Sequence, residues 1–167
     1  MKQIIWVYGC SATGKETFIR AVAHDKKLQK LVGLPVGKVS FSRGSIEHNV
    51  GFDPDAQTKR EQIAEDIRLA FNQGFEAILI KWQFLDFEAD RVIKFRTMFP
   101  DVLQSGVLLV IPLDEHIRRL KLKKWWDPAD DEREYLDWEL RTTKSMVAKD
   151  GLSVIEIDSS NTNYKLL

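Results

Sequence analysis

A chain of 167 residues is long enough for one domain with a hydrophobic core, and a composition of 44% hydrophobic and 30% charged residues excludes a disordered or fibrous chain. Lysine plus arginine equals aspartate plus glutamate at 25 each, with a pI near 6.8, so no global field draws the protein to nucleic acid or to an anionic membrane, and any basic site must be local. The single cysteine, Cys10, allows no internal disulfide, and no Cys/His cluster suggests zinc, which together point to a reducing, cytoplasmic setting.

The first predicted element is a strand over residues 3–8, whose apolar run from Ile4 to Tyr8 is too short for a signal segment or a membrane span. A helix over 15–30 follows a glycine loop, and a second strand covers 38–42. The next helix, 54–72, opens with Pro54 in its first turn and stops before Gly74, and Ile63, Ile67 and Phe71 form one apolar stripe along it. A third strand over 76–81, a helix over 87–98 that stops before Pro100, and a fourth strand over 107–112 come next. Helices over 115–125 and 132–149 lead to a last strand over 153–157.

These strands are rich in Val, Ile and Leu without strict alternation, which suits strands covered on both faces. Strand and helix alternate along the whole chain, so the predicted fold is a three-layer α/β/α sandwich around a five-stranded parallel sheet with right-handed crossovers. Ligands in such folds bind at the carboxyl ends of the strands, here just after Tyr8, Ser42, Lys81, Pro112 and Ile157.

The residues after the first strand, Gly9-Cys10-Ser11-Ala12-Thr13-Gly14-Lys15-Glu16-Thr17, match the P-loop pattern G-x-x-x-x-G-K. Glycines let the backbone curl so that successive N–H groups face phosphate oxygens, and the helix that starts there adds its positive end. Lys15 would reach the β- and γ-phosphates of ATP as a point charge. Glu16 stands where a Ser or Thr hydroxyl usually meets Mg²⁺. Either Thr17 supplies that hydroxyl one position later, or Glu16 holds the metal through water, or Glu16 points outward and complements the helix N-terminus. Cys10 reads as a small loop residue, since no base is placed to activate it.

The P-loop, the five strands and the late basic helix together resemble the small P-loop kinases of the nucleoside-monophosphate-kinase superfamily. Within it, the run from Ile5 to Thr17, with an acid after the P-loop lysine and then a hydroxyl residue, is similar to the opening of the ribose 1,5-bisphosphate phosphokinases, which are guanylate-kinase-like enzymes. Ile78-Leu79-Ile80-Lys81-Trp82-Gln83 looks like the guanylate-kinase strand that ends in Trp-Gln, and Val110-Ile111-Pro112-Leu113 followed by Arg118-Arg119-Leu120 looks like the fourth strand and the arginine helix leading into a lid. Two departures stand out. Lys81 occupies a position that usually carries an acid for magnesium, and 43–56 is shorter than the guanylate-kinase substrate insertion.

The resemblance implies one P-loop kinase-like domain over 1–167, a short lid at about 124–134, and transfer of the γ-phosphoryl group of ATP, with Mg²⁺, to a small-molecule acceptor such as a nucleotide or sugar phosphate. Arg119 and Lys123, four apart on the basic helix, would steady the transferring charge. Their alternative is a solvated helix whose apolar face is Ile117, Leu120 and Trp125. Asp86 and Asp53 are the candidate carboxylates for a general base or metal, Asp53 doubling as the N-cap of the helix begun by Pro54. Arg43 and Gln83 follow strands and are the candidate acceptor-binding residues, whereas Arg60 reads as a helix-surface cation. Trp125 and Trp126 would either close over a base or cap the core, and Arg133 and Arg141 would either reach a phosphate or pair with neighbouring acids. Asn161 and Thr162 follow the last strand, where they either cradle a base or form a terminal turn, and His24, His48 and His116 carry no assigned role. A nucleotide-binding module with little turnover is the alternative, supported by Lys81 and Glu16. A nucleic-acid end kinase is disfavoured by the neutral charge.

Overall fold

The computed structural model describes residues 1–47, 56–82 and 90–167. Along them run β1 (Gln3–Tyr8), α1 (Lys15–His24), α2 (Lys26–Leu31), β2 (Val39–Phe41), α3 (Arg43–Ile46), α4 (Ala56–Asn72), β3 (Ala77–Lys81), α5 (Arg91–Met98), β4 (Leu103–Val110), α6 (Leu113–Lys121), α7 (Glu132–Asp150), β5 (Val154–Asp158) and β6 (Lys165–Leu166). The strands form one sheet in the order β2-β3-β1-β4-β5-β6. The first five are parallel, and β6 closes against β5 in antiparallel register, Ile157 opposite Leu166.

β1 lies between β3 and β4, and helices cover both faces of the sheet there, which is why it carries an unbroken apolar run. Alternation sends Ile4, Trp6 and Tyr8 to one face, where they meet Ile63, Ala64 and Ile67 of α4 and Val92 and Phe95 of α5. Ile5 and Val7 face the other way, onto Phe18, Ile19 and Val22 of α1. The result is the predicted three-layer α/β/α sandwich, with a sheet that is parallel except at its last strand. Chain order reverses about β1. The elements after it build outward to β2 and β3 on one side, and β4 and β5 lie on the other, so the carboxyl end of β1 is a topological switch point.

Several boundaries differ from those expected. The single helix over 15–30 is two, because Asp25 adopts an extended conformation and its Oδ1 accepts from the amides of Lys27 and Leu28, starting α2 anew. β4 begins at Leu103, ahead of the expected 107, since its polar first half (Gln104, Ser105) pairs with β1 yet lacks an apolar signature. Pro112 ends no strand; it is the N-cap of α6, which starts at Leu113 and stops at Lys121 rather than 125. α3 and β6 were not legible, being four and two residues long, with β6 exposed. The last strand is shifted by one residue, to Val154–Asp158. The expected starts at Pro54 and at 87, together with Asp53, His48, Gln83 and Asp86, lie outside the described residues.

The stop at Gly74 is as expected. Its φ of +87° lets Phe75 N reach back to Ala70 O at 3.1 Å and so closes α4. α7 ends in the same way at Gly151, φ +62°, and is opened by Asp131, whose carboxylate accepts from the amides of Arg133 and Glu134. Among the described residues no helix is long and apolar enough to cross a membrane.

Candidate phosphate-binding site

The loop between β1 and α1 curls tightly. Gly9 and Gly14 hold φ of +154° and +86°, and Ala12, between them, is left-handed at +64°. Gly9 admits no side chain: a Cβ there would sit 2.5 Å from Thr13 Oγ1 and 3.3 Å from Leu109 Cβ of β4. Thr13 fastens the curl, its amide and hydroxyl both donating to Cys10 O, at 3.3 and 2.8 Å. Ser159, just past β5, donates its hydroxyl to Thr13 O at 2.9 Å.

Gly14 is the N-cap of α1 and no side chain caps that helix. The first intrahelical bond runs from Phe18 N to Gly14 O, so the amides of Lys15, Glu16 and Thr17 precede it and face the end of the helix. Such a terminus carries partial positive charge with donors aimed outward. Lys15 folds over the loop, Nζ donating to Gly9 O at 2.6 Å and to Cys10 O at 3.0 Å.

Ser11 is different. Its amide donates to Glu139 Oε1 of α7 at 2.8 Å, and its hydroxyl donates to the same oxygen at 2.7 Å. Its carbonyl lies 2.6 Å from His116 Nε2 of α6. A carbonyl only accepts, so that ring nitrogen carries the hydrogen. The expected ring of inward amides is therefore incomplete at Ser11, which points into the α6–α7 side instead. Glu139 is 1% exposed, and its Oε2 has no hydrogen-bond partner among the described residues.

The electrostatics follow from this packing. Burial, then the nearby Lys81, and to a lesser degree Lys123, bring the Lys15 ammonium down to about 8, against a counter-effect from Glu139. Burial and the Glu139 carboxylate push the Cys10 thiol up to about 11. Burial also holds the His116 imidazole below its usual range. Lys81, at the end of β3, and Lys123, two residues beyond α6, thus both act on the Lys15 ammonium, whereas in the sequence Lys81 reads only as a missing acid.

No family model matches the chain, and no curated protein does. Solved structures do. The tunicamycin resistance protein of Deinococcus radiodurans is similar over 92% of this chain and 98% of its own, at 16% identity and a TM-score of 0.52. A gluconokinase of Sinorhizobium meliloti is similar over 95% of this chain and 83% of its own, at 16% identity and a TM-score of 0.52. A sugar kinase of Janibacter is similar over 96% and 87%, at 15% identity and a TM-score of 0.50. The chain shares the fold of these proteins, a three-layer α/β/α sandwich of the P-loop NTPase kind.

On that fold the other expected site residues fall as follows. Glu16 lies on the outer face of α1, 3.0 Å from Arg20, which is the outward alternative, and Thr17 beside it is exposed. Arg119 is tightly held, with Nε 2.6 Å from Glu115 Oε1 and Nη2 at 3.1 and 2.5 Å from the carbonyls of Ser159 and Ser160. Its Nη1 would lie 3.8 Å from a Cβ built on Gly14, so it borders the loop. Glu115 serves both Arg118 and Arg119, whose bonds hold its carboxyl near 2. Arg43 is exposed at the start of α3, beyond β2 at the carboxyl edge of the sheet. Trp126 caps a core cluster with Leu120 and Leu136, whereas Trp125 is 57% exposed. Arg133 pairs with Asp114 and Arg141 with Asp137, the expected alternative to phosphate contact. Asn161 takes part in a turn, its Oδ1 accepting from Asn163 N.

Glu139, His116 and Ser159 escaped the sequence reading. Glu139 alone left a signal. It shares the buried stripe of α7 with Leu136, Thr143 and Asp150, and an acid on such a stripe needs a partner.

Proposed function

We propose that the protein is an ATP-dependent phosphotransferase that carries the γ-phosphoryl group to a small phosphate- or hydroxyl-bearing acceptor. What carries this reading is the curl from Gly9 to Gly14, with Ala12 left-handed, opening onto a helix N-terminus that no side chain caps while Lys15 folds over it. A helix N-terminus with its amides aimed outward, beside a lysine folded over the loop, is a ready anion site that a polyphosphate fits.

In this reading the amides of Lys15, Glu16 and Thr17 and the curl from Gly9 to Gly14 bind the β-phosphate. Lys15 leaves the Gly9 and Cys10 carbonyls and moves onto the β- and γ-oxygens. The donor set suits Mg²⁺, which prefers a hydroxyl, water and phosphate oxygens to a protein cage: the Thr17 hydroxyl would hold it, and the metal would neutralise charge on the phosphates. Lys123 would steady the charge on the γ-phosphate, and Arg119, fixed by Glu115 and by the carbonyls of Ser159 and Ser160, borders the loop at Gly14. The segment at about 124–134 would act as a short lid over a domain spanning 1–167. Arg43, with Gln83 from the chain after β3, would receive the acceptor, and Asp86 would serve as its general base.

Phosphoryl transfer in such a site is mostly placement and charge stabilisation. One observation favours the rival reading of a nucleotide-binding module with little turnover: the end of β3 presents Lys81 to Lys15, where a metal-holding acid would otherwise stand. Incubation with ATP, Mg²⁺ and a panel of nucleoside monophosphates, sugar phosphates and nucleosides separates the two. ADP release stimulated by one acceptor is expected from the kinase. Tight ATP binding with no stimulated turnover identifies the module, and absence of nucleotide binding removes both.

A further inference from the structure

Ala12 holds a left-handed conformation, φ +64°, that an L-residue with a Cβ disfavours. A conformation of this kind persists only where the surroundings over-determine it. Here both neighbours of Ala12 are pinned. Thr13 is tied by its amide, hydroxyl and carbonyl to Cys10 and Ser159. Ser11 is tied by its amide and hydroxyl to Glu139 and by its carbonyl to His116. The ties on Thr13 come mostly from the loop and the end of β5. Those on Ser11 come from α6 and α7, chiefly from His116 and Glu139, which are 8% and 1% exposed.

We propose that Glu139 and His116 are positioning residues which grip Ser11 from two helices and so hold Ala12, and with it the phosphate-binding curl, in its ready shape. The proposal rests on the phosphate-loop reading above. Its chemistry fits the two side chains. A carboxylate oxygen accepts both Ser11 donors, and the bonds are charge-assisted. The imidazole Nε2–H occupies the carbonyl from the opposite flank. The second carboxylate oxygen of Glu139 is buried without a partner among the described residues, a cost that packing alone would remove by placing an apolar side chain on that stripe of α7. Released, Ala12 would relax to the right-handed region, and the fraction of loops ready for phosphate would fall, raising the apparent dissociation constant by the same factor.

Calorimetric titration of Mg·ADP into the full chain and its variants, with thermal melts alongside, tests this. Loss of the Ser11 bonds in Glu139→Ala is expected to weaken ADP about tenfold. Glu139→Gln, whose amide oxygen still accepts from Ser11, is expected to recover most of that loss. Adding Ala12→Gly to Glu139→Ala is expected to restore affinity by about fivefold, since glycine carries no left-handed penalty, and by more than the same substitution gains in the native chain. Should Glu139→Ala not fold, His116→Ala, which removes a single bond, takes its place in the same series. A native chain that does not bind ADP overturns the function proposed above and this inference with it. A native chain that binds, while Glu139→Ala binds within about twofold of it, overturns this inference alone. So does a loss that Ala12→Gly leaves untouched, because a merely structural role would not respond to the backbone of residue 12.

Discussion

The Tyr8 hydroxyl donates to Asp150 Oδ2 at 2.7 Å, joining the last residue of β1, where the phosphate loop begins, to the last residue of α7, 142 positions away. Both side chains are buried, at 0% and 2% exposure, so neither has water as an alternative partner. Burial raises the Tyr8 phenol far above its usual range, and it remains a donor at any working pH. Tyr8→Phe should therefore cost about 1.5–3 kcal/mol of stability at pH 7, the worth of a hydrogen bond to a charged group. Burial also raises the Asp150 carboxyl above its ordinary 3.8, so between that value and the folded one the native chain holds a proton the unfolded chain has lost. This group's contribution to stability thus falls as pH climbs through that window. Because a protonated Asp150 tolerates the lost donor better, the Tyr8→Phe defect should be smaller near pH 4 than at pH 7, as urea melts at the two pH values would show.

Lys15 gives the second prediction. Its ammonium titrates at about 8, where a free lysine titrates at 10.5. Between those values the unfolded chain carries a proton that the native chain lacks, so this group's contribution to stability rises with pH from about 8 to 10.5. Nucleotide affinity should run the opposite way, weakening as pH rises through about 8 because the phosphate ligand needs the charged form. Lys15→Ala should lower ATP affinity by about 1.5–3 kcal/mol, roughly ten- to hundredfold, while the melting temperature holds steady or rises. Unchanged ATP affinity in that variant would place the nucleotide elsewhere.

Gly106 gives the third. It lies in β4 beside β1, and a Cβ there would meet Val154 Cγ2 at 2.8 Å and Tyr8 Cε2 at 2.9 Å. Both neighbours are packed in the sheet, so Gly106→Ala should overpack it at about 1–3 kcal/mol. The displaced ring is Tyr8, so the variant should also share part of the Tyr8→Phe loss. A double-mutant cycle on denaturant midpoints would register this as non-additivity, and strict additivity would show that Tyr8 does not yield.

The fourth concerns Cys10, 2% exposed and with its thiol raised to about 11. At pH 8 it should resist a soluble disulfide reagent in the native chain and react promptly on denaturation. Bound nucleotide should slow any residual reaction, since the loop must open for the reagent to enter. A native chain that reacts as fast as the unfolded one would mean that the loop opens readily.

Much of this architecture is written locally. The apolar run of β1, the stripe of Ile63 and Ile67 and the stop at Gly74 each follow from a few adjacent residues, and each is where the sequence puts it. The phosphate loop is legible for the same reason, because the glycines, Lys15 and the flanking strand and helix lie within a short span of chain. What escapes is whatever depends on distant partners. The first half of β4 is polar and becomes a strand only by pairing with β1. Asp25 resembles any polar residue within a helix until its carboxylate turns onto Lys27 and Leu28. Glu139 and His116 meet Ser11 across 128 and 105 positions, and nothing near them in the chain announces that meeting. Lys81 reads as a missing acid in sequence and becomes a partner of Lys15 only once β3 lies beside β1.

Because β1 is flanked by β3 and β4 along its length, its amides belong to the part of the molecule least exposed to solvent attack. Those amides should exchange with deuterium only through global opening, while the curl that grows from Tyr8 exchanges through small local excursions. Bound nucleotide would then slow the curl directly and reach the strand only through the overall unfolding equilibrium, so two adjacent peptides would report occupancy and total stability separately.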